Sequence, residues 1–208
     1  MSSRFYPYAT DSNEREKLAY YFAVLSVIVA YCVYLIFDKL RVQIPWWTAL
    51  PSPMAIYLSV QWLFSNYLWR WTLLRRLGVV KIIDLNGVYL GDLWSSHDKH
   101  TESHRCEFTV TQTWVNIAIR GRFAESRSFN MVTGISVEGT DAPRLTYEYF
   151  NEPASGSVTS MGPHRGTIWF DIIQDESGIQ LDGEYYTGRG RGTTGSIRVH
   201  SAQTTKGT

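Results

Sequence analysis

Leu18 to Phe37 reads LAYYFAVLSVIVAYCVYLIF, twenty residues without a charge. At about 1.5 Å per residue, such a helix covers the roughly 30 Å hydrocarbon core of a bilayer. A cleaved signal peptide fits less well, because the run is too long and no small-residue cleavage site follows it. A buried helix of a soluble domain fits worse, since every face is apolar. A second uncharged run, Val42 to Trp69, is interrupted by Pro45, Pro51 and Pro53. Ser52-Pro53 has the form of an N-cap followed by proline at the first helical position, where the missing N–H costs nothing. The helix expected after it reads MAIYLSVQWLFSNYLWRWTLL. The pattern thus predicts an N-terminal cytosolic segment over 1–17 and a two-helix transmembrane hairpin over 18–76, with spans at about 18–37 and 53–74.

From Asp84 the period changes from helical to two. Strands are expected at Gly87–Trp94, Cys106–Gln112, Val115–Arg120, Ser126–Val137, Arg144–Phe150, Gly166–Ile173, Gly178–Tyr186 and Gly195–His200. Turn-forming stretches such as EGTDAP, DESG and GRGRGTTG separate them. Short strands in succession, with no helical pattern between them, predict an eight-stranded up-and-down β-barrel, lipocalin-like in shape, over 80–201. Closure also removes sheet edges that invite aggregation. A flexible tail is expected at 202–208. Alternation places Leu145, Tyr147 and Tyr149 on one face with Asn151 just past it, and Ile168, Phe170 and Ile172 on another beside Ile197 and Val199. It does not decide which set points inward. A barrel of this size holds a packed core or one small ligand.

Charge orients the hairpin. Arg4, Arg15 and Lys17 precede the first span, Lys39 and Arg41 lie in the connection, and Arg70, Arg75, Arg76 and Lys81 follow the second. The positive-inside bias puts both termini in the cytoplasm and the short loop outside. Trp46 and Trp47 at one end, with Trp69 and Trp71 at the other, match interfacial aromatic belts. Gln61 and Asn66 are either interhelical hydrogen-bond partners or interface-facing polar groups. Ala19, Ala23, Ser26 and Ala30 fall at spacings of three and four, either as a self-association face or because small residues are common in spans.

Residues 1–80 carry eight Lys/Arg and four Asp/Glu, a net of +4, whereas 81–208 carry twelve and fifteen, a net of −3. A neutral-to-acidic second half argues against binding of long nucleic acid, which needs a basic face, and no polynucleotide partner is expected. Cys32 and Cys106 are expected to be free, since a bridge would join membrane depth to a soluble domain, and this suits a reducing compartment.

The stretch Gly190–Gly195, GRGTTG, matches the dinucleotide fingerprint G-x-G-x-x-G formally. That motif needs a helix after it to present amides to the pyrophosphate. SIRVHS follows instead, an alternating strand, so the glycines serve a hairpin connection. Arg189 and Arg191 remain able to reach a phosphate, though an ordinary exposed arginine is the expected fate of Arg191. His97, His100 and His104 have helical spacing in HDKHTESH, but a polar loop rather than a metal site is expected there. His164 and His200 lack evident partners. No nucleophile elbow, P-loop, HExxH or CxxC motif occurs, and no acid–base pair can be nominated. No enzymatic activity, no metal and no cofactor are therefore expected.

LNGVYLGDL (85–93), VTQTWVNIAI (110–119), SRSFNMVT (126–133), LTYEYFNEP (145–153), RGTIWF (165–170) and LDGEYYTGRGRGTTGSIRV (181–199) follow two spans in that order. Together they resemble the two-transmembrane β-barrel effectors of bacterial CBASS antiphage systems. Tyr89 stands where a tryptophan is expected, and the glycine-arginine loop after Thr187 is longer than the short form. The resemblance implies a receptor for a cyclic dinucleotide made by a partner nucleotidyltransferase. It further implies homo-oligomerisation in the lipid bilayer of the bacterial inner membrane, ending in membrane disruption and abortive infection. Chemistry then nominates Tyr147 and Tyr149 to stack bases, and Gln112, Ser126, Ser128, Asn151 and Thr187 to hydrogen-bond base edges or phosphate. Arg189 is nominated to pair a phosphate, and Trp114 to stack or simply pack. The rival functions are a membrane-anchored, lipocalin-like sensor or carrier of a small hydrophobic ligand, a ligand-free protein-interaction module, and an envelope hydrolase.

Overall fold

The change of period near Asp84 coincides with a boundary between two units. The computed structural model describes residues 5–40, 52–139, 141–154, 156, 162–176 and 178–202. Residues 12–81 form one unit, and the chain up to Asp11 joins the chain from Ile82 onward in the other.

In the helical unit, α1 spans Glu14–Lys39, starting ahead of the uncharged run because Glu14 and Glu16 suit the positive end of the helix dipole. Among the described residues it is the one helix long and apolar enough to cross a membrane. α2 spans Pro53–Asn66 and has the expected cap, with the Ala55 N–H donating to Ser52 Oγ at 3.2 Å. The expected continuation to residue 74 does not form. A 3-10 turn at Leu68–Arg70 follows, and α3 (Thr72–Arg76) starts anew. Asn66 Nδ2 donates back to the Trp62 carbonyl at 2.8 Å, and Tyr67 leaves helical dihedrals at φ −130, ψ −55. A side-chain amide competing for the backbone ladder in this way ends helices. The 14 residues of α2 rise only about 21 Å, short of a bilayer core. α1 packs on α2, with the Phe22 and Phe64 rings 5.1 Å apart. The small-residue face of α1 is already partly covered, since Ser26 is buried and Ala19 and Ala30 are half-buried. The loop residues Arg41, Trp46 and Trp47 and the tail beyond Ala202 lie outside the described residues.

The barrel unit opens with two short strands, β1 (Tyr6–Pro7) and β2 (Ala9–Thr10), in a segment expected to be separate from the barrel. Then come β3 (Gly87–Ser95), β4 (Ser103–Gln112), β5 (Asn116–Phe123), β6 (Ser126–Ser136), β7 (Arg144–Pro153), β8 (His164–Asp175), β9 (Gly178–Thr187) and β10 (Thr194–Ser201). These eight pair antiparallel with their sequence neighbours, and β10 closes on β3. Each expected strand is present, shifted by a few residues at its ends. Leu145, Tyr147 and Tyr149 all point inward, and so do Ile168, Phe170 and Ile172.

Closure between β5 and β6 is short, from Arg120↔Phe129 to Arg122↔Arg127. Beyond it a bulge between Asn130 and Val132 shifts the inward register of β6 from Asn130 to Thr133 and Ile135. The buried Asn130 amide substitutes for the missing ladder, accepting from the Ile119 N–H at 2.8 Å and donating to Thr133 Oγ1 at 2.9 Å. The N-terminal strands fill the rest, β1 on β5 and β2 on β6. Tyr8, 3% exposed, donates to the Trp114 carbonyl at 2.9 Å, and the Asp11 carboxylate accepts from the N–H groups of Val137, Glu138 and Gly139.

At this end of the barrel the interior is filled. Phe108 and Phe170 meet edge-on at 5.8 Å, and Tyr89, Tyr147, Leu145 and Leu181 are nearly inaccessible. Burial of each such side chain contributes on the order of 1.5–3 kcal/mol. Outside, one register row runs Arg144–Asp171–Asp182–Arg198–Asp92–Arg105 around the barrel. Its ion pairs, such as Arg144–Asp171 at 2.8 Å, are partly solvated and contribute little each.

Candidate functional site

The filled core stops below the opposite end, where the β3–β4, β5–β6, β7–β8 and β9–β10 connections gather. There a cavity of about 430 Å³ opens, within the range of small-molecule sites. Its floor is apolar, made by Leu93, Ile168 and Ile197.

Two tyrosines form its inner wall, and period two explains both. Tyr149 shares the inward face of β7 with Tyr147 and Asn151, and Tyr185 shares that of β9 with Leu181 and Thr187. Each ring lies over a glycine directly opposite on the next strand, Tyr149 over Gly166 and Tyr185 over Gly195. A Cβ at either glycine would overlap the tyrosine ring or hydroxyl. Glycine in these two places therefore makes room for the aromatic, as aromatic side chains cover glycines in other sheets. Burial raises both phenols above their usual range, with the nearby Arg191 opposing the rise. Both are therefore neutral at physiological pH and do not repel an anion.

The outer wall is polar. Thr187 and Thr193 tie the base of the β9–β10 connection, the Thr187 N–H donating to the Thr193 carbonyl at 2.9 Å and the Thr193 N–H to Thr187 Oγ1 at 2.8 Å. This closure, with Gly192 at φ 62, brings Arg191 to the cavity. His164 lines the same side, its Nδ1 3.0 Å from the Gly162 carbonyl. Burial, together with Arg191, holds this imidazole below its usual range. Beside Tyr185, from the β3–β4 end, stand Ser95, which hydrogen-bonds the Tyr185 side chain, and Asp98 and His104. Asp98 Oδ2 contacts His104 Nε2 at 2.6 Å, and this bond, with further backbone donors, lowers the Asp98 carboxyl. The ligand atoms of Asp98, Glu102 and His104 fall within 4.8 Å of one another, mostly exposed. These are the described residues best placed to hold a cation, and they use only one of the three histidines of HDKHTESH.

Four of the sequence-nominated residues line the cavity: Tyr149, Asn151, Ser126 and Thr187. Tyr147 lies deeper, fully buried, and among the described residues its hydroxyl has no hydrogen-bond partner. Ser128 is buried next to Gly121 between β5 and β6. Gln112 and Trp114 sit at the filled end. Gln112 Oε1 accepts from the Leu85 N–H at 2.8 Å and Gln112 Nε2 donates to Tyr8, while Trp114 is buried beside the same tyrosine. Arg189 is exposed and does not line the cavity, whereas its neighbour but one, Arg191, does. Arg191, Tyr185, His164 and the Ser95–Asp98–His104 rim were not nominated. Alternation from Thr187 back to Tyr185 is the signal that finds the tyrosine; no periodic signal exists within the loop. As for the glycine run, β10 follows it, and no helix does. Both cysteines are free, Cys106 buried and Cys32 exposed.

A search among curated proteins found no match. Residues 80–201 match the family model described as Cap15, cyclic dinucleotide receptor domain. The match takes in β3 to β10 and every residue that lines the cavity, and by it the chain belongs to the Cap15 cyclic dinucleotide receptor family.

Proposed function

We propose that the cavity at the open end of the barrel binds a cyclic dinucleotide, and that binding activates the chain as a CBASS antiphage effector without enzymatic activity of its own. One observation carries this reading: within the family-matched residues, two neutral tyrosines and an arginine converge on one cavity. A cyclic dinucleotide offers bases to stack on aromatic rings and phosphates for guanidinium donors. Arg191 takes the phosphate role first expected of Arg189, and Tyr149 and Tyr185 take the stacking role. Asn151 and Ser126 supply hydrogen bonds to base edges.

The effector step lies in the helical unit. α1 forms the first crossing of the bacterial inner membrane. α2 and the 3-10 turn after it together rise about 27 Å, short of a roughly 30 Å core, and act as a second crossing met by local thinning of the bilayer, ending at the basic residues Arg70, Arg75 and Arg76. Both termini then face the cytoplasm, and ligand comes from a partner nucleotidyltransferase. Occupied barrels associate as homo-oligomers, which concentrates their spans and disrupts the bilayer. Ligand must bind the assembled state more tightly, or it shifts nothing.

The test uses the full chain in vesicles loaded with a self-quenching dye, titrated with cyclic di-UMP, di-AMP, di-GMP and GMP–AMP. Release on addition of one nucleotide, lost in Arg191→Ala, is the expected result. Binding without release overturns the disruption step, and absence of binding overturns the receptor. The apolar floor of Leu93, Ile168 and Ile197 favours a second reading, a hydrophobic ligand, in which Arg191→Ala changes nothing.

A further inference from the structure

His164 stands outside every role assigned above. It is the first residue of β8 and lines the cavity on the same side as Arg191. Its Nδ1 lies 3.0 Å from the Gly162 carbonyl. A carbonyl only accepts, so Nδ1 carries the proton and the neutral ring keeps Nε2 as an acceptor. Among the described residues that nitrogen has no hydrogen-bond partner. An acceptor facing a phosphate is repulsive, and a protonated Nε2 is a charge-assisted donor. The ring also meets the Tyr149 ring edge-on, at 6.3 Å, which places it beside the surface offered to a base.

The charges around His164 decide its state in the empty cavity. Arg191 reaches it from the β9–β10 connection and disfavours a second positive charge. Tyr149 on β7 and Tyr185 on β9 are neutral. Arg165 on its own strand is exposed, on the outward register of β8. Glu125 and Asp98 also line the cavity, Asp98 bonded to His104 near His97. No carboxylate forms an ion pair with His164 among the described residues. An incoming phosphate reverses this balance, because it neutralises Arg191 and itself favours imidazolium.

We propose that His164 is a second cationic contact for the anionic ligand and takes up one proton as the ligand binds. This rests on the receptor reading above. Binding then tightens as pH falls through the bound-state titration of His164 and levels off below its titration in the empty cavity. Between the two, the gain is at most tenfold per pH unit for one proton.

The experiment is calorimetry on the full chain in nanodiscs, with the same four cyclic nucleotides as probes, at pH 6.5 in two buffers of different ionisation enthalpy. The expected result is a binding enthalpy that differs between buffers, by an amount equal to a net uptake of up to one proton. His164→Gln is expected to abolish that difference and to weaken binding severalfold at pH 6, but less than twofold at pH 8.5. His200→Gln, on the outer face of β10, is expected to keep the linkage. Equal enthalpies in the unaltered chain overturn the proposal, whatever the variants do. Linkage that survives His164→Gln and vanishes in His97→Gln or His104→Gln overturns it too. Failure of all four nucleotides to bind overturns the receptor reading and this proposal with it, whereas binding without proton uptake overturns this proposal alone.

Discussion

Arg189 and Arg191 differ by two positions in a loop, yet only Arg191 lines the cavity. Arg191→Ala is expected to weaken cyclic dinucleotide binding tenfold or more, from the loss of about 1.5–3 kcal/mol of charge-assisted hydrogen bonding. Arg189→Ala is expected to change it less than twofold, as read by titration calorimetry. The distinction is not legible in the sequence, because alternation stops at Thr187 and the closure by Thr193 is a tertiary fact. Tyr185 is legible, since the period that places Thr187 inside places Tyr185 there as well. Cys106 offers a separate check. Burial, aided by Asp92, pushes its thiol up to about 12. The thiolate is the reactive form, so maleimide at pH 7.5 is expected to leave Cys106 unmodified until the barrel is unfolded, as read by mass spectrometry.

At the level of elements, the eight strands follow from alternation and turn residues, and their inward faces follow from closure. The N-terminal strands are not legible in this way, because two residues are too few for a period to show. Their role comes from the short β5–β6 seam, a consequence of the bulge after Asn130. Asp11 ties this segment to the β6–β7 hairpin. Burial opposes its charge, but the N–H groups of Val137, Gly139 and Glu138 outweigh that and hold its carboxyl below the usual carboxylate range. A lowered folded-state value means the stabilisation is fully present above the unfolded value, near 4, and is lost as pH falls through the folded one. Asp11→Asn is therefore expected to lower the unfolding temperature of the barrel at pH 6, and the gap from the unaltered chain is expected to narrow below about pH 4. In the sheet, Gly166→Ala forces Tyr149 to move and meets the Tyr186 carbonyl. Overpacking of this kind costs about 1–3 kcal/mol, so this variant is expected both to unfold more easily and to bind more weakly. The second helix shows the limit of hydropathy. The run from Met54 to Leu74 is apolar enough, but the Asn66 amide takes a backbone carbonyl and divides it.

On the scale of the whole molecule, a receptor barrel and a pair of apolar helices share one chain. Their order is read directly from the switch of period near Asp84. The placement of the cavity is not, since alternation reports which face is inside and says nothing of the depth to which the inside is filled. Large side chains such as Tyr147, Phe108 and Phe170 occupy one end, while glycines opposite Tyr149 and Tyr185 clear the other. Among the described residues that asymmetry opens the barrel at this end, and a cyclic dinucleotide is proposed to enter there. Stoichiometric titration of the full chain in nanodiscs, comparing the unaltered protein with Arg191→Ala and Tyr149→Ala, tests it most directly. We expect saturable binding of one of the cyclic dinucleotides, lowered at least tenfold by each substitution while the barrel stays folded. Undiminished affinity in both variants, or no binding by the unaltered chain, would contradict it.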